Sequence, residues 1–422
     1  MKTIRKANKV IQKYLGPQFV EDNIEYIENK YVIRNENLYY NCLTDEIVLA
    51  DNTEDRDQLI RRWYLVPKYF DIKSVDHLIR QNYKRTAYGP GSFLKRNYII
   101  FTTTACNASC EYCFEKGMRP LTMSKEVGLD VANYIIKSHD PSRKFKIKWF
   151  GGEPLVNKEA INVISDALND AKLNYYSDIS SNGDLLDSCT DEELRNWKVT
   201  GIQFTLDAVG EEYDRIKGLP NGAYERLKKS VSRLEKLGIK AKIRIHVNTK
   251  KEEKPWYKIV DEFKDFSNVT MYARLLYQES SKSDYDELLA LEDYITDNTG
   301  KVFFPIFSIN SHCMADNSRM ACITPNGELS PCEHYAYGEL MYGSIYSSER
   351  KYDVHKEWGK RRKTSEEMCL SCPLYPLCRQ NTMCPAEGKC SEGYQYYQIE
   401  TIKRALRKKV EEINGRDSNT NN

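Results

Sequence analysis

The sequence predicts an α/β protein in which a partial (β/α)6 barrel is flanked by a small N-terminal α+β module and a cysteine-rich C-terminal segment. Three observations predict it. Strand-like and helix-like stretches alternate between Lys95 and about Asn310, which implies a parallel sheet with helices on its outer face. A loop of the form C-x3-C-x2-C, at Cys106, Cys110 and Cys113, directly follows the first of those strands. Eight further thiols, from Cys313 to Cys390, crowd the last third of the chain.

The 422 residues give room for two or three domains and a sizeable core. With 63 basic against 61 acidic residues the net charge is +2, so bulk charge argues for no nucleic-acid or membrane partner. No apolar run is long enough to span a bilayer. The opening Met1–Lys6 lacks the apolar stretch of a signal peptide, and a cytoplasmic location is expected. A reducing cytosol disfavours structural disulfides, so the 13 cysteines call for another explanation. Only Cys42 and Cys189 stand outside the two groups, and both read as small core residues.

Residues 1–94 form the first module. Tyr31–Tyr40 reads as two strands joined at Asn35–Asn37, Glu46–Leu49 as a third, and Asp55–Tyr64 as a helix ended near Pro67. Docking of a substrate and simple packing on the main core are both open roles for it. Tyr88–Ser92, with two glycines and a proline, marks a hinge.

Across residues 95–310 the expected strands are Tyr98–Thr103, Lys144–Phe150, Tyr175–Ser180, Gly201–Leu206, Lys240–Asn248 and Val269–Leu276. The expected helices are Ser124–Lys137, Lys158–Lys172, Thr190–Trp197, Ala223–Leu237, Trp256–Phe263 and Asp284–Tyr294. Thr190 with Glu193 fits a capping box. Active sites of such sheets lie at the carboxyl ends of the strands, where the cysteine loop sits.

A [4Fe–4S] cube usually takes four thiolates, so a loop with three leaves one iron open to a small chelating molecule. A structural zinc loop is the competing reading, but such sites are closed by four ligands at other spacings. The C-x3-C-x-(aromatic)-C pattern resembles that of the radical S-adenosylmethionine (SAM) enzymes. The resemblance implies that Cys106, Cys110 and Cys113 hold the cluster, that SAM's methionine group occupies the fourth iron, and that the reduced cluster splits SAM to a deoxyadenosyl radical. Tyr112 would then lie beside the adenine. Gly151-Gly152-Glu153-Pro154, one β–α unit later, is similar to the family's SAM-amino motif and assigns Gly151, Gly152 and Glu153 to that group. Ser180-Ser181-Asn182-Gly183 resembles a T-N-G-like turn near the ribose and carboxylate, which singles out Ser180 and Asn182, while Ser181 is as well explained by the turn itself. Asp207 ends the next strand, and Arg244 alternates with His246 along the fifth. Charged groups inside a barrel need partners, so Arg244 is expected to meet the SAM carboxylate or the substrate.

The C-terminal thiols resemble the auxiliary-cluster region called SPASM through Gly327-x4-Cys332 and Cys369-x2-Cys372-x5-Cys378. The family's next cysteine follows three residues later; here five intervene before Cys384. Carried over, the family's pairing would give one auxiliary [4Fe–4S] cluster to Cys313, Cys322, Cys332 and Cys384, and a second to Cys369, Cys372, Cys378 and Cys390. Two zinc knuckles are the alternative. The expected divisions are 1–94, 95–310, 311–400 for the SPASM region, and 401–422 for a C-terminal helix and polar tail. The resemblance implies a maturase that cross-links a ribosomally made precursor peptide through a thioether, ether or carbon–carbon bond, with an electron donor such as flavodoxin or ferredoxin. Oxidation of Ser or Cys to formylglycine, as in sulfatase-maturating enzymes, and a non-catalytic zinc-binding module are the rival readings. In those sulfatase-maturating relatives an Asp after the cluster cysteine takes a proton, which makes Glu333, after Cys332, the candidate base.

Overall fold

The structure, a computed structural model, describes residues 2–49, 56–75, 94–113, 115–117, 119–276, 281–300, 314–317, 319–335, 341–349, 367–378 and 390–419. Cys313, Cys384 and the Tyr88–Ser92 hinge lie outside the described residues.

The N-terminal module carries strands β1 (Lys2–Arg5), β2 (Tyr26–Glu28), β3 (Val32–Asn35), β4 (Leu38–Asn41), β5 (Glu46–Leu49) and β6 (Leu65–Pro67), with helices α1 (Lys9–Leu15) and α2 (Arg56–Arg61). Four of them form an antiparallel sheet in the order β1-β5-β4-β3, and β2 pairs with β6. The β3–β4 hairpin turns where the sequence predicts, at Glu36, whose φ of 52° is left-handed. Helix α2 stops at Arg61, short of the expected Pro67, because Trp63 takes a left-handed φ of 66° and β6 begins at once.

The main sheet holds six parallel strands, β7 (Asn97–Thr103), β8 (Phe145–Gly151), β9 (Tyr175–Ser181), β10 (Val199–Leu206), β11 (Lys240–Val247) and β12 (Val269–Leu275). Their order follows the chain, as right-handed β–α units dictate. Between and after them run α3 (Lys125–Ser138), α4 (Lys158–Asp170), α5 (Asp191–Asn196), α6 (Gly210–Lys217), α7 (Ala223–Lys236), α8 (Trp256–Phe263) and α9 (Lys282–Thr299). Six strands and six helices match the expected elements to within a few residues, α9 running on from the expected Tyr294 to Thr299. The capping box of Thr190 and Glu193 is formed at the start of α5. Helix α6 is the exception. Its sequence GEEYDRIK is short and mostly charged, so it offers no apolar stripe to read.

Three more strands extend the sheet beyond β7: β13 (Met320–Ile323), parallel to it, then β14 (Glu328–Ser330) and β15 (Gly343–Ser344), both antiparallel. The start of the cysteine-rich segment is therefore edge-paired to the barrel sheet. Helices α10 (Glu367–Ser371), α11 (Tyr375–Cys378) and α12 (Glu392–Asn419) complete the chain.

Strand alternation divides the sheet into two chemistries. On β11 Ala241, Ile243, Ile245 and Val247 are buried against the helices, whereas Lys242, Arg244 and His246 face the other way. The same holds on β9, with Ile179 outward and Asp178 and Ser180 inward. The outer layer forms one large apolar core with Trp149, Trp197, Trp256, Phe145 and Phe204 fully buried. Each such side chain contributes about 1.5–3 kcal/mol by leaving water. A second core joins Tyr31, Ile33, Leu38 and Tyr40 of the N-terminal module to Leu374 and Leu377 of the cysteine-rich segment and to Ile402 and Leu406 of α12.

Candidate active site

The cysteine loop leaves β7 at Thr103 and is clamped by the next strand ends. Gly151 has φ +137°, and a Cβ there would stand 2.0 Å from the Thr103 carbonyl oxygen; at Gly152 it would stand 2.5 Å from that of Ala105. Only glycines let the β8 end lie this close, and the backbone N–H of Gly152 and of Glu153 donate to Thr103 and Ala105 across the gap. Glu153 itself is wholly buried. One carboxylate oxygen accepts from the Leu155 N–H, the other from Ser181 Oγ at 3.1 Å and the Asn182 N–H at 2.7 Å. Burial pushes its pKa up to about 7 against the pull of those donors.

The β9 end completes the clamp. Asn182 Nδ2 donates to Asn107 Oδ1 at 2.8 Å and lies 3.9 Å from Cys106 Sγ, and Asn107 in turn donates to Asp184. Asn182 thus stands beside the cysteine loop, while Ser181 is used in the turn, accepting from the Gly183 N–H at 2.9 Å. Ser180 Oγ is buried with no hydrogen-bond partner.

Helix α6 supplies what the sequence did not reveal. The Ser109 N–H donates to the last carbonyl of α6, that of Lys217, at 2.8 Å. From the same residue the ammonium reaches Tyr112 Oη at 2.5 Å and Asp207 Oδ2 at 2.8 Å. Tyr112 donates to Asp207 at 2.7 Å, and His246 Nδ1 lies 3.1 Å from the other oxygen of that carboxylate. Burial would raise the Asp207 pKa, but the His246 hydrogen bond and the Lys217 charge hold it well below the usual carboxylate range. Burial lowers that of His246, so the ring is neutral at pH 7 and Nδ1–H is the donor to the ionised Asp207. The Tyr112 ring also meets the His246 ring edge-on at 5.3 Å.

The thiols of Cys106, Cys110 and Cys113 share one loop, partly exposed, within electrostatic reach of one another. They are not drawn to metal-ligand spacing, nor is any other group of three His, Cys, Asp or Glu among the described residues. The donor set nonetheless suits an iron–sulfur cluster: three thiols on a loop at the carboxyl edge of a parallel sheet, with Asn182 beside Cys106 and the hydroxyl of Ser180, two residues back on β9, buried without a partner.

From the C-terminal segment the structure brings Cys322 and Cys332 together, both buried. Burial raises the Cys322 thiol pKa, the Glu333 and Cys332 charges add to it, and Lys148 opposes them. Glu333 pairs with Lys148 of β8 at 3.0 Å, and its charge is felt at Tyr272 of β12. Strands four places apart in the sheet order are thus near one carboxylate, which shows the curl of a barrel. Cys369 and Cys372 are joined by a turn, with Cys372 in the second core near Cys42. Cys378 ends α11, and Cys390 lies just ahead of α12, near Tyr285 of α9. Cys42 and Cys189 are both buried, as core residues should be.

A curled parallel sheet with helices outside and a three-thiol loop at its carboxyl edge defines a class of enzyme that holds an iron–sulfur cofactor at the barrel mouth. Residues 100–263 match the Radical SAM superfamily, so the chain carries a radical SAM domain. It is 27% identical over 277 residues to a GTP 3′,8-cyclase of Clostridium botulinum, covering 57% of this chain and 82% of the relative. It is 22% identical over 248 residues to an Fe-coproporphyrin III synthase of Methanosarcina barkeri, covering 56% and 60%. Among solved structures, anSMEcpe with bound AdoMet and the Cp18Cys peptide shares the fold with a TM-score of 0.57 and 18% identity, over 76% of this chain and 99% of that one. Streptococcus suis SuiB bound to precursor peptide SuiA shares it with a TM-score of 0.51 and 14% identity, over 87% and 95%. A [4Fe–4S] cluster and SAM are the cofactors this family implies. Among the described residues no helix is long and apolar enough to cross a membrane.

Proposed function

We propose that this protein is a peptide maturase that removes hydrogen from a residue of a ribosomally made precursor and closes a cross-link with the help of auxiliary clusters. The observation that carries the reading is the position of Glu333. It lies next to Cys332 and within reach of Cys322, yet its carboxylate is inside the barrel, on Lys148. A base so placed can take the proton a nucleophile must shed near the C-terminal thiols. Cys106, Cys110 and Cys113 would hold the SAM-binding cluster, with Gly151, Gly152, Glu153, Ser180, Asn182 and Tyr112 around the SAM methionine and nucleoside groups. Bound there, cluster and SAM supply the hydrogen abstraction. Glu153 keeps the β9 turn on the cysteine loop, and its buried carboxyl, raised to about 7, is ready to ionise beside a cation. The auxiliary sites would use Cys313, Cys322, Cys332 and Cys384, and Cys369, Cys372, Cys378 and Cys390. The likeness to folds solved with peptides, over most of this chain, supports a peptide substrate.

A second reading, cyclisation of GTP, is favoured by the sequence relatives named as GTP 3′,8-cyclases. The test is anaerobic turnover of the cluster-loaded protein with SAM and a reductant, offered GTP and the short peptides encoded beside its gene. A peptide that loses two hydrogens and gains a bond between two of its residues supports the maturase. A cyclised nucleotide with unchanged peptides overturns it, and formylglycine in a protein substrate would move the reading to sulfatase maturation.

A further inference from the structure

The inner face of the barrel holds several cations, and nearly all of them are committed. Lys146 and Lys242 both reach Asp178 Oδ2, at 2.6 and 3.0 Å. Lys148 is on Glu333, and His246 on Asp207. Arg244 stands between Lys242 and His246 on the same face of β11, opposite Thr205 of β10 and Tyr272 of β12. Its Nε is buried without a hydrogen-bond partner, and among the described residues no acceptor meets its guanidinium. Its charge is felt at both His246 and Tyr272, which places the head group inside the barrel rather than at its rim. A guanidinium cannot lose its proton to escape this position, so its donors wait for an acceptor brought from outside.

We infer that Arg244 receives a carboxylate of the substrate peptide, an Asp or Glu side chain at or beside the residue that reacts. The inference rests on the peptide-maturase reading and names its substrate class. Two features separate this group from the SAM site. The segments that clamp the cysteine loop end β8 and β9; β11 lies two strands beyond β9, about 10 Å along the sheet, and reaches the loop through His246, whose ring meets that of Tyr112. Arg244 also sits one two-residue step, about 6–7 Å, below His246 and the Asp207 network at the strand ends. Charge separates a carboxylate from a nucleoside triphosphate. With the lysines held by Asp178 and Glu333, the uncommitted guanidinium of Arg244 on this face of β11 matches one carboxylate, for which its planar fork is shaped.

The test is equilibrium dialysis of the full-length, cluster-loaded protein with SAM, using N-acetyl-aspartate N-methylamide as probe, the asparagine analogue as neutral control and GTP in a parallel cell. The aspartate probe should bind at least about tenfold more tightly than the asparagine analogue, the scale of a charge-assisted hydrogen bond. Arg244→Gln should erase that preference, and Arg244→Lys, which keeps the charge, should retain part of it. Equal binding of the two probes to the wild type overturns the inference. So does loss of SAM binding in both variants, which would give Arg244 to the SAM carboxylate, or Arg244-dependent binding of GTP that excludes the aspartate probe. Deoxyadenosine formation by the wild type is measured alongside. Its absence would strike the underlying reading, whereas its presence with indifferent probes strikes only the role of Arg244.

Discussion

Lys217 shows what a single residue can hide. Its carbonyl pins the cysteine loop through Ser109, and its ammonium sits between Tyr112 and Asp207, yet nothing in its local sequence marks it. The contact joins positions 105 apart and depends on a helix with no apolar face. The cysteines, the glycine pair and Asn182 stood out as candidates because they match, in order, motifs of the family the sequence resembles, and the structure brings them to one edge of the sheet. Glu153 was legible as a candidate, but its two-oxygen grip on Leu155, Ser181 and Asn182 was not. Glu333 is the residue where a prediction is sharpest. In the proposed chemistry it accepts a proton, so Glu333→Gln should keep full iron content and SAM cleavage while slowing product formation about a hundredfold. Iron analysis and product assay of that variant decide it. Wild-type product rates remove the base role, and lost iron makes the residue structural through its pairing with Lys148.

At the scale of elements, the six parallel strands were legible because five of them alternate buried and more exposed residues, β7 is a continuous buried run, and helical stripes follow them. Strands β1, β2, β6 and β13 to β15 have two to four residues, too few for a period to show, whereas β3 to β5, equally short, are apolar-rich stretches set off by the Asn35–Asn37 turn. The packing of α9 on α12 carries a pH dependence that follows from one buried group. Tyr397 donates to Glu292 at 2.6 Å, and burial raises that carboxyl from 4.5 to about 7 despite the nearby Arg274 and Arg404. The folded protein keeps a proton that the unfolded chain releases. Stability from this site is therefore full below about pH 4.5, falls as pH rises toward 7, and is flat above. Glu292→Gln should match the wild type near pH 4 and exceed it by about 3 kcal/mol at pH 8. Unfolding curves across that range test it; a constant difference would mean that the carboxyl is not the source.

Across the whole molecule, the N-terminal module and the last helix share one core although they lie at opposite ends of the chain. Asn35 Nδ2 donates to the Lys403 carbonyl at 2.8 Å, and Tyr31 Oη to that of Leu370 at 2.8 Å. Such pairings between distant segments leave no trace in local periodicity, so the module could be seen in the sequence but not its seat. One consequence is that deleting residues 1–75 would bare Leu374, Leu377, Ile402 and Leu406, and should cost the C-terminal segment its order along with any leader docking. The truncated protein is expected to lose solubility and part of its iron; full iron and normal SAM cleavage would show that the module is a detachable docking unit.

In the proposed function Cys106, Cys110 and Cys113 hold a SAM-cleaving cluster distinct from the C-terminal thiols. Changing all three to Ala and measuring iron, sulfide and deoxyadenosine release under anaerobic, reducing conditions tests it most directly. Iron should fall by about four atoms per chain, the content of one cube, and deoxyadenosine release should vanish while the remaining iron stays bound. Deoxyadenosine release from the triple variant, or a loss of all its iron, would contradict the account.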